Sequence, residues 1–198
     1  MLHWVESALA TPGMTALQDA GEAWKVLVEE ALVALPYVQE GPVVDVGSGN
    51  GSPGLPLAAS LPDLRFDLLE SSGRKCAFLR QAAAPFPNVE VVCARAEEHA
   101  RGTGRDSYAV ALARALAPQA VAAEWCLPFV RPGGVLILYA ARPDPGLDRV
   151  AAQLGAGSPQ IVEDTERPGR TLVVFPKLDP TPDRFPRRTG VARKRPLT

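Results

Sequence analysis

The chain has 198 residues, is 46% hydrophobic and carries a formal net charge of −1, so it can bury a full core without a stabilising metal or disulfide. No apolar run approaches the roughly 20 residues that a membrane-spanning helix needs. The opening residues, MLHWVE, lack the basic and apolar pattern of a secretion signal. These features predict a cytoplasmic protein without a membrane partner.

The cysteines and histidines do not form a recognisable ligand pattern. Cys76, Cys93 and Cys126 are widely separated and odd in number, which argues against a disulfide framework and against a zinc site. We interpret them as small buried apolar side chains. His3 and His99 lie far apart in the sequence, so no metal site is expected.

The first predicted element is helical. Apolar residues recur at helical spacing between residues 15 and 35, and Pro36 marks the end of that pattern. Trp24 belongs to the apolar face and is interpreted as a packing residue. We expect a short helical leader within residues 1–40, followed by the rest of a single domain that spans residues 1–178.

Residues 43–54, VVDVGSGNGSPG, predict a buried strand, a glycine turn and a helix that begins near Pro53. Gly47 and Gly49 can adopt positive φ and let the backbone approach a ligand, while the helix directs unpaired N–H groups into the same space. Such glycines alone are a weak signal, because dinucleotide enzymes share them. Asp45 would repel a pyrophosphate but suits a ligand with an ammonium and a sulfonium, which favours S-adenosylmethionine (SAM).

The next two strands contribute the other parts of a nucleoside site. The strand predicted at residues 65–69 ends at Glu70, about 20 residues after the glycines, where a carboxylate can accept both ribose hydroxyls. A solvated glutamate at a strand end is the alternative. A third strand at residues 89–92 leads to Ala96 and Glu97, whose backbone could pair with the edge of an adenine.

The rest of the domain continues the alternation of strands and helices. Strands are predicted at residues 108–112 and 135–139, and a Pro-Gly-Gly turn introduces the second of these. A helix is expected within residues 144–154. The last two strands, at residues 160–162 and 171–175, would close the sheet as an antiparallel hairpin. The predicted fold class is α/β, a seven-stranded, mostly parallel sheet with helices on both faces.

The charge is concentrated at one end of the chain. From residue 184 the sequence reads RFPRRTGVARKRPLT, with six basic residues, no acid and Phe185 among the arginines. A solvated face is the alternative, but arginine and aromatic side chains together suit RNA. We predict that residues 179–198 form an RNA-binding tail rather than a separate domain. The basic residues are Arg184, Arg187, Arg188, Arg193, Lys194 and Arg195.

These motifs resemble the bacterial RsmG (GidB) family, whose members methylate guanine N7 in small-subunit (16S) ribosomal RNA. The resemblance covers residues 24–197, through DVGSGNGSPGLPLA, LLESSGRKCAFLR, ARAEE, ARALAP, EWCLPFVRPGG and TPDRFPRRTGVARKRPL. It implies the Rossmann-like fold of class I SAM-dependent methyltransferases, with 16S ribosomal RNA or the small ribosomal subunit as partner. The implied SAM contacts are Gly47, Ser52, the Ala96-Glu97 backbone and Arg114, with Glu70 on the ribose.

The chain departs from the family pattern in a short leader, where Gly13-Met14-Thr15 lacks the usual asparagine, and at four further positions. Ser52 replaces a bulky apolar residue, and Leu27 and Ala31 replace a histidine and a serine. Tyr139 stands where a lysine is usual. These departures concern the positioning of the substrate more than the identity of the cofactor.

The implied chemistry needs no general base. Guanine N7 has an in-plane lone pair and can attack a sulfonium methyl without losing a proton, so no catalytic residue is assigned. Arg114 is a candidate for substrate positioning through O6, a phosphate or the cofactor; a strand-end salt bridge is the alternative. Two other functions stay open: a class I methyltransferase for a small molecule or protein, and a non-catalytic dinucleotide- or RNA-binding module.

Overall fold

Seven short strands form a single sheet in the computed structural model, which describes residues 1–140, 142–163 and 171–198. The strands are β1 Val43–Val46, β2 Phe66–Glu70, β3 Val89–Cys93, β4 Tyr108–Arg114, β5 Val130–Ala140, β6 Gln160–Glu163 and β7 Thr171–Pro176. Their order is β3-β2-β1-β4-β5-β7-β6, and β1 to β5 are parallel. Because both faces of the central strands are covered, β1 and β2 are buried throughout.

The helices lie on the two faces of this sheet, as predicted. They are α1 Leu2–Ala10, α2 Ala20–Trp24, α3 Gly54–Ser60, α4 Gly73–Ala83, α5 Ala96–His99, α6 Gln119–Cys126, α7 Leu147–Gln153 and α8 Val191–Lys194. Val44 packs with residues of α6 and α7, whereas its neighbour Val43 packs with residues of α3 on the opposite face. In the part of the chain that the structure describes, no helix is long and apolar enough to cross a membrane.

The sheet closes with the predicted antiparallel strands. Strand β7 pairs antiparallel with both β5 and β6, and the connection at residues 164–170 lies outside the described residues. The start of β5 differs from the prediction, because the strand begins at Val130 and includes the Pro-Gly-Gly segment that was expected to precede it. A side chain at Gly134 would overlap the carbonyl of Ala109, so the glycine allows the two strands to approach closely.

The leader also differs from the single helix predicted for residues 15–35. Asp19 caps α2 by accepting a hydrogen bond from the Glu22 N–H at 2.8 Å, as an N-cap residue does. After α2 the chain forms a π-turn at Lys25–Glu29 and a 3₁₀ segment at Ala31–Tyr37. The contacts that accompany this change of helix type belong to the site described below.

Candidate active site

The glycine loop, residues 47–54, connects the carboxyl end of β1 to α3. Gly47 and Gly49 have φ of +73° and +60°, which confirms the predicted positive φ. A side chain at Gly47 would overlap Leu116, whereas a Cβ at Gly49 would meet only the Gly47 carbonyl oxygen, at 3.7 Å. The loop therefore has open space beside Gly49, where a ligand can approach the backbone.

Glu70, at the end of β2, holds the glycine loop in place. One carboxylate oxygen accepts the Gly49 N–H at 3.1 Å. The other accepts the N–H groups of Ser71 and Ser72, both at 2.8 Å. The side chain thus lies at the predicted strand end and shapes the loop; its contact with a ribose stays a prediction.

Asp45 lies beneath the loop rather than on its open side. Its buried carboxylate accepts the Gly54 N–H at 3.0 Å, at the start of α3. Burial is the main cause that raises the pKa of this carboxyl to about 7. Asp45 is absent from the lining of the cavity described next, so any attraction for the charges of SAM would act across the loop.

A cavity of about 250 Å³ opens at the carboxyl edge of the sheet, and we call it the edge cavity. Of the predicted cofactor residues, Gly47, Ala96 and Glu97 line this cavity, and their contact with a nucleoside stays a prediction. The other predicted residues are not among its lining: Gly49, Ser52, Glu70 and Arg114. The lining residues are Val46, Gly47, Leu69, Ser71, Ala94, Arg95, Ala96, Glu97, Leu116, Trp125, Thr189, Gly190 and Arg193. A cavity bounded by a side-chain-free glycine turn and the backbone after β3 fits an adenosine group, so the residues present fit SAM.

Arg114, at the end of β4, is engaged by the leader. Its guanidinium pairs with the Glu30 carboxylate at 2.8 Å and donates to the Val26 carbonyl at 2.6 Å. It also donates to the Ser52 hydroxyl at 3.2 Å. Of the two interpretations of Arg114, the strand-end ion pair is present in this structure, and a contact with substrate or cofactor stays a prediction.

The four positions that the resemblance marks as unusual lie in two pairs. The Ser52 hydroxyl donates to the Leu27 carbonyl at 2.7 Å, and the Tyr139 hydroxyl donates to the Ala31 carbonyl at 2.6 Å. These bonds engage leader carbonyls in the π-turn and the 3₁₀ segment, so side chains of the core hold the leader where its α-helical pattern ends. Ser52 therefore has a structural contact with the leader that its implied SAM contact did not predict.

The basic C-terminal segment, residues 179–198, packs against the domain. Arg187 forms a two-pronged ion pair with the buried Glu124, and these bonds raise the pKa of its guanidinium. Arg193 lines the edge cavity, and Arg184 lies 5.0 Å from the centre of the Phe185 ring. The remaining predicted RNA contacts are exposed: Arg188, Lys194 and Arg195.

Two arginines missed by the sequence reasoning attach this segment to the region between α5 and β4. Arg105 donates to the carbonyls of Thr181 and Phe185, the latter at 2.8 Å. Arg101 donates to the Pro186 carbonyl at 2.8 Å. Because the partners are backbone carbonyls 76 to 85 residues away, no sequence spacing could have indicated these contacts.

Lys177, where β7 gives way to the C-terminal segment, is a further residue that the sequence reasoning missed. Its buried ammonium donates to the carbonyls of Leu127 and Leu154 at 3.2 and 3.0 Å and to the Thr181 hydroxyl. Burial lowers the pKa of this ammonium to about 8. The lysine thus joins the start of the C-terminal segment to the chain at Leu127 and at Leu154.

The cysteine interpretation was wrong for two of the three residues. Cys76 and Cys93 form a disulfide, with their Cα atoms 5.9 Å apart, and Cys93 is exposed. The crossover from β2 through α4 to β3 brings together two residues that the sequence separates by 17 positions. Cys126 is free and buried, as expected. Among the described residues, no group of three or more potential ligands could hold a metal ion.

Comparisons with known proteins agree with this geometry. The family model for rRNA small subunit methyltransferase G (GidB) matches residues 4–145. The ribosomal RNA small subunit methyltransferase G of Moorella thermoacetica is 38% identical over 93% of this chain and 82% of its own. The protein of that name from Rubrobacter xylanophilus is 42% identical over 82% of this chain and 67% of its own.

Among solved structures, the apo form of the S-adenosylmethionine-dependent methyltransferase SibL shares the fold. Its TM-score is 0.64 at 17% identity, over 88% of this chain and 62% of that one. The predicted α/β class and the resemblance are both confirmed. The chain belongs to the rRNA small subunit methyltransferase G (GidB) family and is a SAM-dependent methyltransferase.

Proposed function

We propose that the protein transfers a methyl group from SAM to N7 of a guanine in 16S ribosomal RNA. Its partner is the RNA or the small ribosomal subunit, and its location is the cytoplasm. One observation carries the proposal: the edge cavity is lined both by Gly47 of the glycine loop and by Thr189, Gly190 and Arg193 of the basic C-terminal segment. The names of the relatives support the choice of small-subunit ribosomal RNA.

The cofactor would be held largely by backbone. The Gly47 and Gly49 main chain would lie against SAM, and Ala96 and Glu97 would present backbone groups to its adenine. Glu70 would accept from the ribose hydroxyls, in addition to its bonds to the loop. When bound, SAM supplies an electrophilic methyl group on a sulfonium.

In this reaction the protein would align guanine N7 with the methyl group of SAM, and no proton transfer is needed. The N7 lone pair of guanine forms the new bond to carbon while the bond from carbon to sulfur breaks, and the positive charge moves to the purine. Orientation alone can supply up to ~7–11 kcal/mol of such a barrier. No histidine is among the described residues that line the edge cavity; His99 instead lies 3.3 Å from the Tyr108 hydroxyl.

RNA would be held electrostatically by the exposed cations of the C-terminal segment. Arg188, Arg193, Lys194 and Arg195 project from α8 and the turns beside it. Contacts of such side chains with phosphates release counterions, so binding should weaken as salt increases. Arg114 is already paired with Glu30, so its contribution to the RNA would require that ion pair to open.

The experiment is methylation of ribosomal RNA taken from cells that lack this protein. Purified protein and SAM are added to naked 16S RNA and to small subunits, and nuclease fragments are examined by mass spectrometry. We expect one new 7-methylguanosine. Methylation of another atom, or of no RNA position, would refute the proposal.

A matched pair of glycine variants controls for backbone strain. Gly49→Ala places a methyl group on the open side of the glycine loop, where only the Gly47 carbonyl oxygen is near. Gly133→Ala has a similar positive φ, +86°, with no atom within 4 Å, and lies at the opposite edge of the sheet. We expect Gly49→Ala to weaken SAM binding and methylation, and Gly133→Ala to leave SAM affinity unchanged.

A further inference from the structure

Arg187 and Arg188 are adjacent basic residues in very different surroundings. The Arg187 side chain is 24% exposed and pairs with the Glu124 carboxylate, which is 1% exposed. Its backbone N–H also donates to that carboxylate, at 3.1 Å, and its guanidinium donates to the Arg195 carbonyl at 2.7 Å. Arg188 is exposed and has no ion-pair partner among the residues that the structure describes.

The Arg187 contacts lead directly to the edge cavity. Two residues after Arg187 the chain reaches Thr189 and Gly190, which line that cavity. The Gly190 N–H donates to the buried Glu97 carboxylate at 3.0 Å, next to the backbone expected to meet adenine. On the other side of the ion pair, Glu124 precedes Trp125, which lines the same cavity. The ion pair therefore joins two elements of one wall.

We infer that Arg187 is a positioning residue for SAM: its ion pair with Glu124 fixes the C-terminal segment as a wall of the edge cavity, whereas Arg188 contacts RNA phosphate. The RNA part of this inference rests on the proposed function. The SAM part rests only on the described contacts. The inference gives different roles to Arg187 and Arg188, which are adjacent and equally basic in the sequence.

This role has a consequence for the two ligands. If RNA binds the exposed cations more tightly when the segment is packed, RNA favours the packed position, which completes the wall against which SAM binds. By thermodynamic reciprocity, each ligand then raises the affinity of the other by the same factor. Arg187 transmits this effect without touching either ligand.

The test compares Arg187→Gln with Arg188→Gln in the full chain, with SAM affinity measured by calorimetry and RNA affinity by titration at several salt concentrations. For Arg187→Gln we expect a SAM Kd about tenfold higher, in the usual range of coupling between sites, with an unchanged RNA salt slope at saturating SAM. In turnover, this variant should show a higher KM for SAM and a kcat close to that of the parent chain. For Arg188→Gln we expect an unchanged SAM Kd and a salt slope lower by about 0.7 to 0.9.

Two further variants keep the test decisive if Arg187→Gln folds poorly. In the double variant Arg187→Gln/Glu124→Gln no buried charge is left unpaired and the amides can still hydrogen-bond, so SAM affinity should recover towards the parent value. Arg187→Lys keeps the charge but loses the two-pronged geometry, so its SAM affinity should be intermediate.

A folded Arg187→Gln with unchanged SAM affinity would overturn the positioning role. So would a salt slope that falls equally in the Arg187 and Arg188 variants, because that result makes Arg187 a phosphate contact. If the parent chain neither binds RNA nor methylates guanine N7, the proposed function fails. The difference in SAM affinity between the two variants would still decide the positioning role.

Discussion

The glycine loop and the C-terminal segment both contribute walls to the edge cavity, yet the chain fixes them in different ways. The loop is held by carboxylates that accept backbone N–H groups, as Glu70 does for Gly49. The segment is held mostly by cations that donate to carbonyls and carboxylates, as Arg101 does to Pro186. The carboxylates that hold the loop lie on the neighbouring strands β1 and β2, whereas the segment is held by residues far apart from it in the sequence.

This difference shows why charge in a sequence is a poor guide to exposure. The six basic residues after residue 183 suggest a uniform cationic surface. In the structure, Arg187 is engaged by the protein itself, Arg193 lines the edge cavity and Arg188 is exposed. Some basic side chains of this segment attach it to the protein, and others are exposed to solvent. Substitutions in the loop and in the segment should therefore have different effects on stability and binding.

The largest expected change in the free energy of unfolding comes from Asp45, beneath the glycine loop, and depends on pH. Because the folded pKa of Asp45 is raised from 3.8 to about 7, its stabilising contribution is complete below pH 3.8 and is lost as pH rises through 7. Asp45→Asn, whose amide oxygen can still accept from Gly54, should remove this dependence. Between pH 4 and 8 the variant should gain up to about 4 kcal/mol relative to the parent chain. Urea unfolding at several pH values measures the difference, and parallel stability curves would contradict it.

The next effect concerns the C-terminal segment. Arg105→Met removes two charged hydrogen bonds to the carbonyls of Thr181 and Phe185, and should lower the free energy of unfolding by about 3 kcal/mol. Arg184→Met is the control, since Arg184 is exposed and its contact with the Phe185 ring is worth only about 0.5–1 kcal/mol. Chemical denaturation of both variants measures the two losses of unfolding free energy. Equal losses would mean that the segment is held mainly by its apolar contacts.

Removal of the disulfide beside Glu70 should cause a similar loss of stability, on the side of the glycine loop. Bridges that close loops of this size stabilise by about 3 kcal/mol, so Cys76→Ser/Cys93→Ser should unfold at lower denaturant concentration. Alkylation of the denatured chain should modify one thiol without a reductant and three with it. Three modified thiols in both samples would show that the bridge is absent in solution.

The smallest effect compares one glycine from each wall. Gly47→Ala and Gly190→Ala both place a methyl group at positive φ, +73° and +81°, which costs roughly 1–2 kcal/mol. Only Gly47→Ala adds an overlap, with Leu116, because nothing lies within 4 Å of a Cβ at Gly190. Thermal unfolding should therefore show a larger loss of stability for Gly47→Ala than for Gly190→Ala. The opposite result would mean that the C-terminal segment is packed more tightly at Gly190 than the loop is at Gly47.

The parts that could be predicted from the sequence are those encoded locally. Alternating apolar runs and turns indicated the seven strands, and the glycines indicated their own positive φ. The parts that could not be predicted depend on partners brought together by the fold. Arg105 and Lys177 donate to backbone carbonyls, which every residue has, so the residue types in the sequence do not indicate which carbonyls accept these bonds. Residues unusual for the family, such as Ser52 and Tyr139, were visible singly, but their shared contact with the leader was not.

The antiparallel direction of β7 has a consequence for synthesis of the chain. Because β7 ends beside the start of β5, the C-terminal segment leaves from the amino edge of the sheet and must reach the carboxyl edge to line the cavity. Its contacts with Arg105, Arg101 and Glu97 follow in that order, so the segment runs opposite in direction to residues 97–105. A nascent chain can therefore complete its sheet once β7 has formed, but its cofactor cavity lacks a wall until Arg193 has emerged from the ribosome.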